Sequence, residues 1–463
     1  MVAVLGCGEG QRGGIVSHGI GTDSEVGHLR TVLVHRPGLE LRRVTPRTRS
    51  RLAFDGLPWL TRAQQEHDAL TDVLRDHGTE VLYVTELLQD VLEYACAREE
   101  AIGSVLAAAD LGDELGPQVA GHLRSLPPED LAAALVAGLT PAEIESGRGL
   151  VYDLLGPHDF VVEPLPNLVF SRDSSIWIGD QAVVASLPGP RHRETDLIAV
   201  VYRHHPRFAG STHCHLTAGS RLDGGDVVLL APGVVAIGVG VRTTPASAEL
   251  LARHLLGTGV AHTVLALPMN QAAQGSHLDR VCTVVGHAIV LMVPALAFTL
   301  TALTITASGD GLRVSRPRPF LEAAAGAIGV DRLTVIDTGL DSLAGLSGPW
   351  DDGANTLAVG QGVTVCSERN VETNARLAAA GFEVITVPAG ELGGMRGGPR
   401  CMCSPISRDA PATPGAGQVP DEPPLAADPP RGEPAVIGGS RQPEPASQPD
   451  GEPNRLGELA PTR

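Results

Sequence analysis

The sequence contains no lysine, too few basic residues to balance its acidic ones and no CxxC pair of cysteines. All 35 basic residues are arginine, and 53 acidic residues bring the formal net charge to -18. A chain this acidic lacks the basic face that binding to phosphates requires, so its composition argues against a nucleic-acid partner. An acidic surface instead favours solubility and weakly attracts cationic small molecules.

The cysteines also exclude one class of protein. They are seven in number, scattered, and contain no CxxC pair. This pattern differs from a secreted disulfide framework and favours the reducing cytoplasm. Cys401 and Cys403, with the HisCysHis run at 213–215, suggest metal ligands, but a lone CxC lacks two further ligands at suitable spacing. We therefore predict no metal site.

No segment reads as a membrane anchor. The N-terminus lacks the basic flank and apolar run of a secretory signal. The uncharged run Ala288–Ser308 is as long as a membrane helix, but it contains Pro294, several threonines and alternating β-branched residues. It also lacks flanking basic residues and aromatic belts. Strands joined by a turn fit this run better, and we predict no membrane association.

Composition divides the chain into a body and two ends. Residues 1–24 are glycine-rich and predicted to be flexible, whereas residues 409–463 are proline-rich and acidic and predicted to be disordered. Residues 25–86 and 150–408 form the predicted α/β body. In residues 87–149 apolar positions recur at helical spacing, which predicts an inserted helical bundle. A capping box from Thr140 to Glu143, with Pro141 between them, predicts one helix start there.

A repeated order of elements predicts the architecture of the body. The runs that begin at Asp223 and Asp352 each read as strand, strand, helix, strand. Weaker copies begin near Leu29, Asn167 and Asp279. Five such units predict an α/β fold, a five-bladed, pseudo-symmetric α/β propeller of ββαβ units that closes into a ring.

Short polar clusters recur at the start of successive units. They are Asn167 with Arg172 and Asp173, Asp223 with Asp226, His277 with Asp279, and Asp351 with Asp352. In a ring, equivalent strand ends converge on the axis, where gathered carboxylates repel one another unless a cation joins them. We therefore expect a positively charged ligand. His277 and Asp279, two apart on a predicted strand, would face the same side and suit a base beside a carboxylate.

A candidate nucleophile lies near the end of the body. The segment GGMRGGPRCMC places Cys401 after a glycine-rich loop that contains arginine. Nearby positive charge favours a thiolate, and the thiolate is the reactive form of cysteine.

Many of these residues fall within ten motifs that occur in one order between Ser24 and Arg408. The motifs are SEVGHLRTVLVHRPG, LAFDG, EHDALTDVLRDHGTEVLY, PNLVFSRD, RHRET, HHPRF, GGDV, HLD, NTL and GGPRCM. In them the chain resembles bacterial arginine deiminase. The resemblance implies the five-unit fold of guanidino-group-modifying enzymes, the pentein fold, with an inserted helical domain. It also implies cytoplasmic hydrolysis of L-arginine to L-citrulline and ammonia, without a cofactor.

The resemblance implies catalytic roles for five residues. Cys401 would attack the guanidinium carbon, and His277 would protonate departing ammonia and then activate water. Asp173 and Asp279 would grip the guanidinium through charge-assisted hydrogen bonds. Asp223 occupies the position of the family's glutamate that orients the histidine.

Four more residues would bind the rest of the substrate or gate the site. Arg191 and Arg242 resemble the clamps for the substrate carboxylate, where the planar arginine fork suits a carboxylate. Asn167 resembles the ligand of the α-amino group. Arg396 resembles a mobile-loop arginine that stabilises the thiolate and gates the site.

Some positions depart from the family pattern. Asp223 is one methylene shorter than glutamate, which moves its carboxylate by about 1.5 Å unless the backbone compensates. Gly56 replaces an aspartate, and Ser276 replaces a methionine. Three alternatives therefore stay open: an amidinotransferase, a methylarginine hydrolase of the same fold, and a catalytically weakened arginine-binding relative. A homo-oligomer is compatible with the sequence.

Overall fold

The structure, a computed structural model, describes residues 19–411 except 53, 55, 145–146, 157, 216–218, 270–276, 310, 340–352 and 395–396. Most of both predicted flexible ends lies outside the described residues. The same is true of Asp351, Asp352, Ser276 and Arg396.

Strands and helices alternate through the described chain. The strands are β1 (Leu29–Val34), β2 (Glu80–Tyr83), β3 (Ser175–Ile178), β4 (Gln181–Val184), β5 (Thr212–His215), β6 (Val227–Ala231), β7 (Val234–Val239), β8 (Thr263–Pro268), β9 (Cys282–Gly286), β10 (Ile289–Met292), β11 (Thr301–Ser308), β12 (Gly311–Val314), β13 (Arg318–Pro319), β14 (Thr334–Asp337), β15 (Leu357–Gly360), β16 (Val363–Ser367), β17 (Glu383–Val387) and β18 (Ser404–Arg408). The helices are α1 (Leu39–Arg42), α2 (Leu60–Asp76), α3 (Val84–Val91), α4 (Ala95–Ala108), α5 (Gly112–Ser125), α6 (Pro128–Ala137), α7 (Leu150–Leu154), α8 (Ser171–Ser174), α9 (His192–His204), α10 (Pro245–Thr258), α11 (Pro294–Ala297), α12 (Phe320–Ile328), α13 (Val371–Ala379) and α14 (Glu391–Gly394).

Among the described residues these strands form five sheets that share one plan. In each, two antiparallel strands are followed by a helix and by a third strand that runs parallel to the second, as a helical crossover requires. Four of these units follow chain order: β3–β4–α9–β5, β6–β7–α10–β8, β9–β10–α12–β14 and β15–β16–α13–β17. In the third of them α11 and β11 to β13 intervene between β10 and α12. The protein is therefore a mixed α/β protein whose predicted ββαβ order recurs in its sheets.

The remaining unit joins the two ends of the described chain. Strand β18 pairs antiparallel with β1, and β1 pairs parallel with β2 after helix α2. The sequence predicted β1, α2 and β2 but not β18, because the partner of β1 lies at the far end of the body. This pairing puts Cys401 just ahead of the first strand of its unit.

The uncharged run Ala288–Ser308 contains two strands, as predicted, but a short helix rather than a simple turn lies between them. It contains β10, α11 and β11, and β11 pairs antiparallel with β8, which widens that sheet. In the part of the chain that the structure describes, no helix combines the length and apolar composition that crossing a membrane requires.

Helices α3 to α7 follow one another between β2 and β3. Their apolar faces share one buried cluster with α9, in which Leu88, Ile102, Leu135 and Ile198 are fully enclosed. Each such side chain contributes about 1.5–3 kcal/mol on leaving water. The predicted capping box is present, since the Thr140 amide donates to the Glu143 carboxylate at 2.8 Å, but it starts only a single 3-10 turn.

Candidate active site

A cavity of about 630 Å³ brings six of the nine predicted site residues together. They are Asn167, Asp173, Arg191, Arg242, His277 and Cys401. Leu52, Phe54, Leu165 and Phe170 add an apolar wall. Asp223 and Asp279 contact His277 from outside the lining, and Arg396 lies outside the described residues. The cavity lining therefore combines charged and apolar side chains.

Short turns before the first strands position the charged groups. Helix α8 presents Asp173 ahead of β3, and 3-10 turns at Gly224–Asp226 and Leu278–Arg280 lie ahead of β6 and β9. The prediction that His277 and Asp279 lie on a strand is wrong. The backbone turns here instead, because the Leu278 amide donates to Asp226 Oδ1 at 3.0 Å and the Arg280 amide donates to the His277 carbonyl at 3.3 Å.

Cys401 is buried, and its sulfur has polar neighbours. Asn355 Nδ2 donates to Sγ at 2.9 Å, and the Cys401 amide donates to Asn355 Oδ1 at 3.1 Å. Sγ also lies 3.5 Å from Asp279 Oδ2. Asn355 belongs to the NTL motif, but sequence reasoning gave it no role. The only sequence signal was its place just ahead of β15, the position that carries polar residues in the other units.

His277 lies among three carboxylates. Its Nε2 is 3.2 Å from Asp223 Oδ2, and its Nδ1 is 3.9 Å from Asp173 Oδ1 and 3.7 Å from Asp279 Oδ1. Burial alone would lower the pKa of His277, but the charges of Asp223 and Asp173 outweigh burial and Arg242 and raise this pKa to about 9. The imidazole is therefore protonated near neutral pH and can donate a proton.

The carboxylates differ in their proton affinity. Burial and the nearby charge of Asp223 raise the pKa of Asp173. Burial would also raise the pKa of Asp223, but His277, Arg242 and Arg191 together hold it well below its usual range. Diverging pKa values in one cavity are typical of functional sites.

One carboxylate oxygen of Asp173 and one of Asp279 lack a hydrogen bond from the described residues. Asp173 and Asp279 are buried, yet in the described part of the chain neither Oδ1 atom has a hydrogen-bond partner. Their Oδ2 atoms accept from Arg191 at 3.1 Å and Arg400 at 2.8 Å. A buried acceptor without a donor is costly, so a ligand rich in N–H donors fits this position.

Ligand atoms of Asp173, His277 and Cys401 lie within 4.8 Å of one another, a spacing that a metal ion could also span. Ligation needs a neutral imidazole, whereas the raised pKa keeps His277 protonated. The alternative set of Cys401, Cys403 and residues 213–215 is not gathered among the described residues. Cys403 is buried in an apolar core, and residues 213–215 belong to β5.

The two predicted carboxylate clamps contact the site's own acids in this structure. Arg191 donates to Asp173 and forms further bonds with Glu194, while Arg242 Nη1 lies 3.2 Å from Asp223 Oδ2. Asn167 Nδ2 donates to the Leu52 carbonyl at 2.9 Å. All three predicted residues line the cavity, and Glu194 of the RHRET motif is a partner that sequence reasoning missed.

The shorter Asp223 still reaches His277, because its turn places it close. Asp223 Oδ1 accepts from the Gly225 amide at 3.1 Å, which begins the 3-10 turn. A Cβ on Gly225 would collide with the His277 ring. Glycine therefore allows the close approach that the aspartate needs. Gly56, the other described departure, is exposed.

Comparisons with known proteins identify the family of the chain. The family model described as arginine deiminase matches residues 50–408. The arginine deiminase of Rhodococcus jostii is 51% identical over 395 residues, which cover 84% of this chain and 98% of that protein. Those of Mycobacterium tuberculosis and Mycobacterium marinum are 50% and 49% identical, with the same shares covered.

Similarity to solved structures is more distant. The DDAH of Pseudomonas aeruginosa complexed with citrulline aligns with a TM-score of 0.48 and 15% identity, over 81% of this chain and 99% of that one. The assignment therefore depends on the sequence relatives and on the family model, which spans most of the chain. By both measures, the chain belongs to the arginine deiminase family.

Proposed function

We propose that the chain hydrolyses L-arginine to L-citrulline and ammonia through a covalent intermediate on Cys401. The observation that carries the proposal is a pair of buried Oδ1 atoms, one on Asp173 in the cavity lining and one on Asp279 beside His277, that accept no hydrogen bond from the described residues. They flank a protonated His277 and the Cys401 sulfur. A planar cation with N–H donors on several edges satisfies both oxygens at once.

In the proposed binding mode the carboxylates of Asp173 and Asp279 each accept hydrogen bonds from two partners. The substrate guanidinium donates to the Oδ1 atoms while Arg191 and Arg400 keep the Oδ2 atoms. The aliphatic chain of arginine then lies along the apolar wall near Phe170. Arg191 and Arg242 are the proposed partners of the substrate carboxylate, and Asn167 that of its α-amino group. Arg396 is proposed to gate the site.

In the first half of the proposed reaction the Cys401 thiolate adds to the guanidinium carbon and forms a C–S bond. His277 gives its proton to the departing nitrogen as the C–N bond breaks, and ammonia leaves. A cationic S-alkylthiouronium remains on the enzyme, and His277 is neutral.

In the second half the neutral His277 takes a proton from water as its oxygen adds to the same carbon. The C–S bond then breaks and returns the thiolate. Loss of the remaining extra proton to solvent gives the neutral ureido group of citrulline. Asp223 keeps His277 oriented through both halves, since its carboxylate lies against Nε2 at 3.2 Å. The cycle needs no cofactor.

The five-bladed propeller is proposed as the architecture that brings these groups together. Its support is the recurrence of one ββαβ unit in five sheets and the β18–β1 pairing, which joins the ends of the body. We also propose that residues 87–149 form an inserted helical domain, supported by the shared cluster with α9. The six described cysteines are all unpaired, which supports the cytoplasm as the proposed compartment.

A citrulline assay on the full-length protein tests the proposed function. Purified protein should form citrulline and ammonia in equal amounts from L-arginine. Cys401→Ala should lower this rate by at least about 10³-fold, the scale seen when a nucleophile is removed. Cys403→Ala is the matched control, because Cys403 is equally buried two residues away in the apolar core, and it should keep the activity.

Three outcomes would contradict the proposal. Absence of citrulline from the native protein would indicate a binding protein, and full activity in Cys401→Ala would exclude the covalent route. Faster release of methylamine from methylated arginine, or transfer of the amidino group to an added amine, would indicate one of the other reactions.

A further inference from the structure

A glutamate outside the cavity lining is linked through two arginines to three residues of the proposed site. Glu25 is buried and accepts from two arginines: Arg172 Nη2 at 2.6 Å and 2.8 Å, and Arg400 Nη2 at 2.8 Å. The Leu229 amide approaches the same carboxylate at 3.4 Å. Glu25 does not line the cavity.

Both arginines are direct neighbours of catalytic candidates in the chain. Arg172 precedes Asp173, and its backbone amide donates to the Cys401 carbonyl at 3.1 Å. Arg400 precedes Cys401, and its Nη1 donates to Asp279 Oδ2 at 2.8 Å. Glu25 is therefore linked to three site residues. The side chain of Arg172 connects it to the next residue, Asp173. Arg400 connects it to the next residue, Cys401, and through a hydrogen bond to Asp279.

The charges make this carboxylate hard to replace. Burial would raise the pKa of Glu25, but Arg172 and Arg400 outweigh burial and lower it to about 2, so the group stays ionised. Burial and the charge of Arg400 lower the pKa of Arg172, which shows that the two guanidinium groups repel each other. Removing one partner from a buried ionic network leaves the remaining charges uncompensated.

We propose that Glu25 is a positioning residue for the reaction, which acts through Arg172 and Arg400 to fix Asp173, Asp279 and Cys401 relative to one another. Arg400 has one fork nitrogen on Glu25 and another on Asp279. Glu25 thereby keeps Arg400 on Oδ2 of Asp279 and leaves Oδ1 of this carboxylate without a hydrogen bond from the described residues. The proposal depends on the proposed function for its kinetic consequence, but not for its geometry.

The test compares Glu25→Gln with Glu40→Gln in the full-length protein. Glutamine keeps one acceptor oxygen, but its amide nitrogen faces a guanidinium donor, so one arginine loses its partner. Glu40 is the matched control, because it is also a buried glutamate with a basic side chain as its partner, His35 Nε2 at 3.0 Å, and it does not line the cavity. The measurements are the melting temperature, kcat per competent site, KM, and the rate of Cys401 alkylation by iodoacetamide.

A competent site is one whose Cys401 reacts with iodoacetamide. The fraction of such sites is measured by tandem mass spectrometry, which locates the alkylated residue. Glu25→Gln should lower kcat per competent site by about 100-fold, since misplacement on the scale of 1 Å has that cost. It should also change the alkylation rate at least threefold. Glu40→Gln should lower the melting temperature and leave both rates unchanged. Glu25→Asp restores the charge, so it should recover part of kcat.

A Glu25→Gln protein with native kcat per site and native alkylation would overturn the proposal and leave Glu25 with a structural role only. If Glu25→Gln does not fold, Glu25→Asp is measured in its place. Native values of kcat per site and of the alkylation rate in Glu25→Asp would likewise overturn the proposal. If the native protein forms no citrulline, the proposed function fails, whereas the alkylation comparison still tests the position of Cys401.

Discussion

Replacing Asp223 by asparagine removes the charge that contributes most to keeping His277 protonated. The rise of the His277 pKa from its usual 6.5 to about 9 corresponds to about 3 kcal/mol in favour of the imidazolium. Asp223 Oδ2, at 3.2 Å from Nε2, is the largest favourable cause of that rise. Without it, burial is opposed mainly by Asp173, so the pKa of His277 should fall by at least one unit.

The assay is the pH dependence of kcat/KM for citrulline formation, which reports groups of the free enzyme. In the proposed mechanism His277 must be protonated to release ammonia, so activity persists below the pKa of His277 and is lost as pH rises through it. The native alkaline limb should therefore lie near pH 9, in line with the His277 pKa of about 9. In Asp223→Asn it should move toward neutral pH. The substrate amino group titrates in the same region for every variant and cancels in the comparison.

Two controls separate charge from shape. Asp223→Glu keeps the charge and should keep the alkaline limb near its native position. Asp226→Asn makes the same chemical change three residues away, where burial raises the carboxyl pKa to about 7, and should shift the limb little. An alkaline limb that stays in place in Asp223→Asn, or a His277 NMR titration that does not move, would refute this electrostatic explanation.

Two further substitutions test the walls of the site. Gly225→Ala introduces a Cβ that meets the His277 ring, so kcat should fall by about 100-fold. The far-ultraviolet circular dichroism spectrum should stay native. An unchanged kcat would show that the ring can move without loss of activity. Arg191→Ala should raise KM for arginine by at least about 10-fold, the scale of one lost charge-assisted bond, and leave KM for agmatine, which has no carboxylate, nearly unchanged. Equal increases for both substrates would assign Arg191 to Asp173 alone rather than to the substrate carboxylate.

The fold was predictable where pairing is local along the chain. In the unit from Asp223 the two strands, the helix and the third strand are contiguous, so alternation and turn residues are sufficient to find them. Strand β18 was missed because its partner β1 lies at the opposite end of the body, and no short-range pattern indicates such a pairing. The same strand explains why Cys401, far from the other site residues in sequence, belongs to an equivalent position in its unit.

Six of the predicted residues line the cavity, whereas Glu194, which also lines it, was missed, as were Asn355 and Glu25, which support other residues. Asp173 and His277 were found because polar residues recur at unit starts. Asn355 and Glu25 act on Cys401 and on Arg400 through contacts between distant segments, and their sequence positions look like ordinary turn and strand-entry residues. His277 and Asp279 were paired correctly for the wrong reason, since a 3-10 turn and not a strand brings them together.

The charge arrangement also bears on how the proposed reaction ends. Substrate and thiouronium intermediate are both cations, so the Oδ1 atoms of Asp173 and Asp279 can hold both without rearrangement, which is the advantage of preorganised charge. The ureido group of citrulline is neutral and offers these buried carboxylates only ordinary hydrogen bonds. Binding therefore weakens at the step that forms the product. In the proposed reaction Asp173 and Asp279 thus favour binding of the cationic substrate and release of the neutral product.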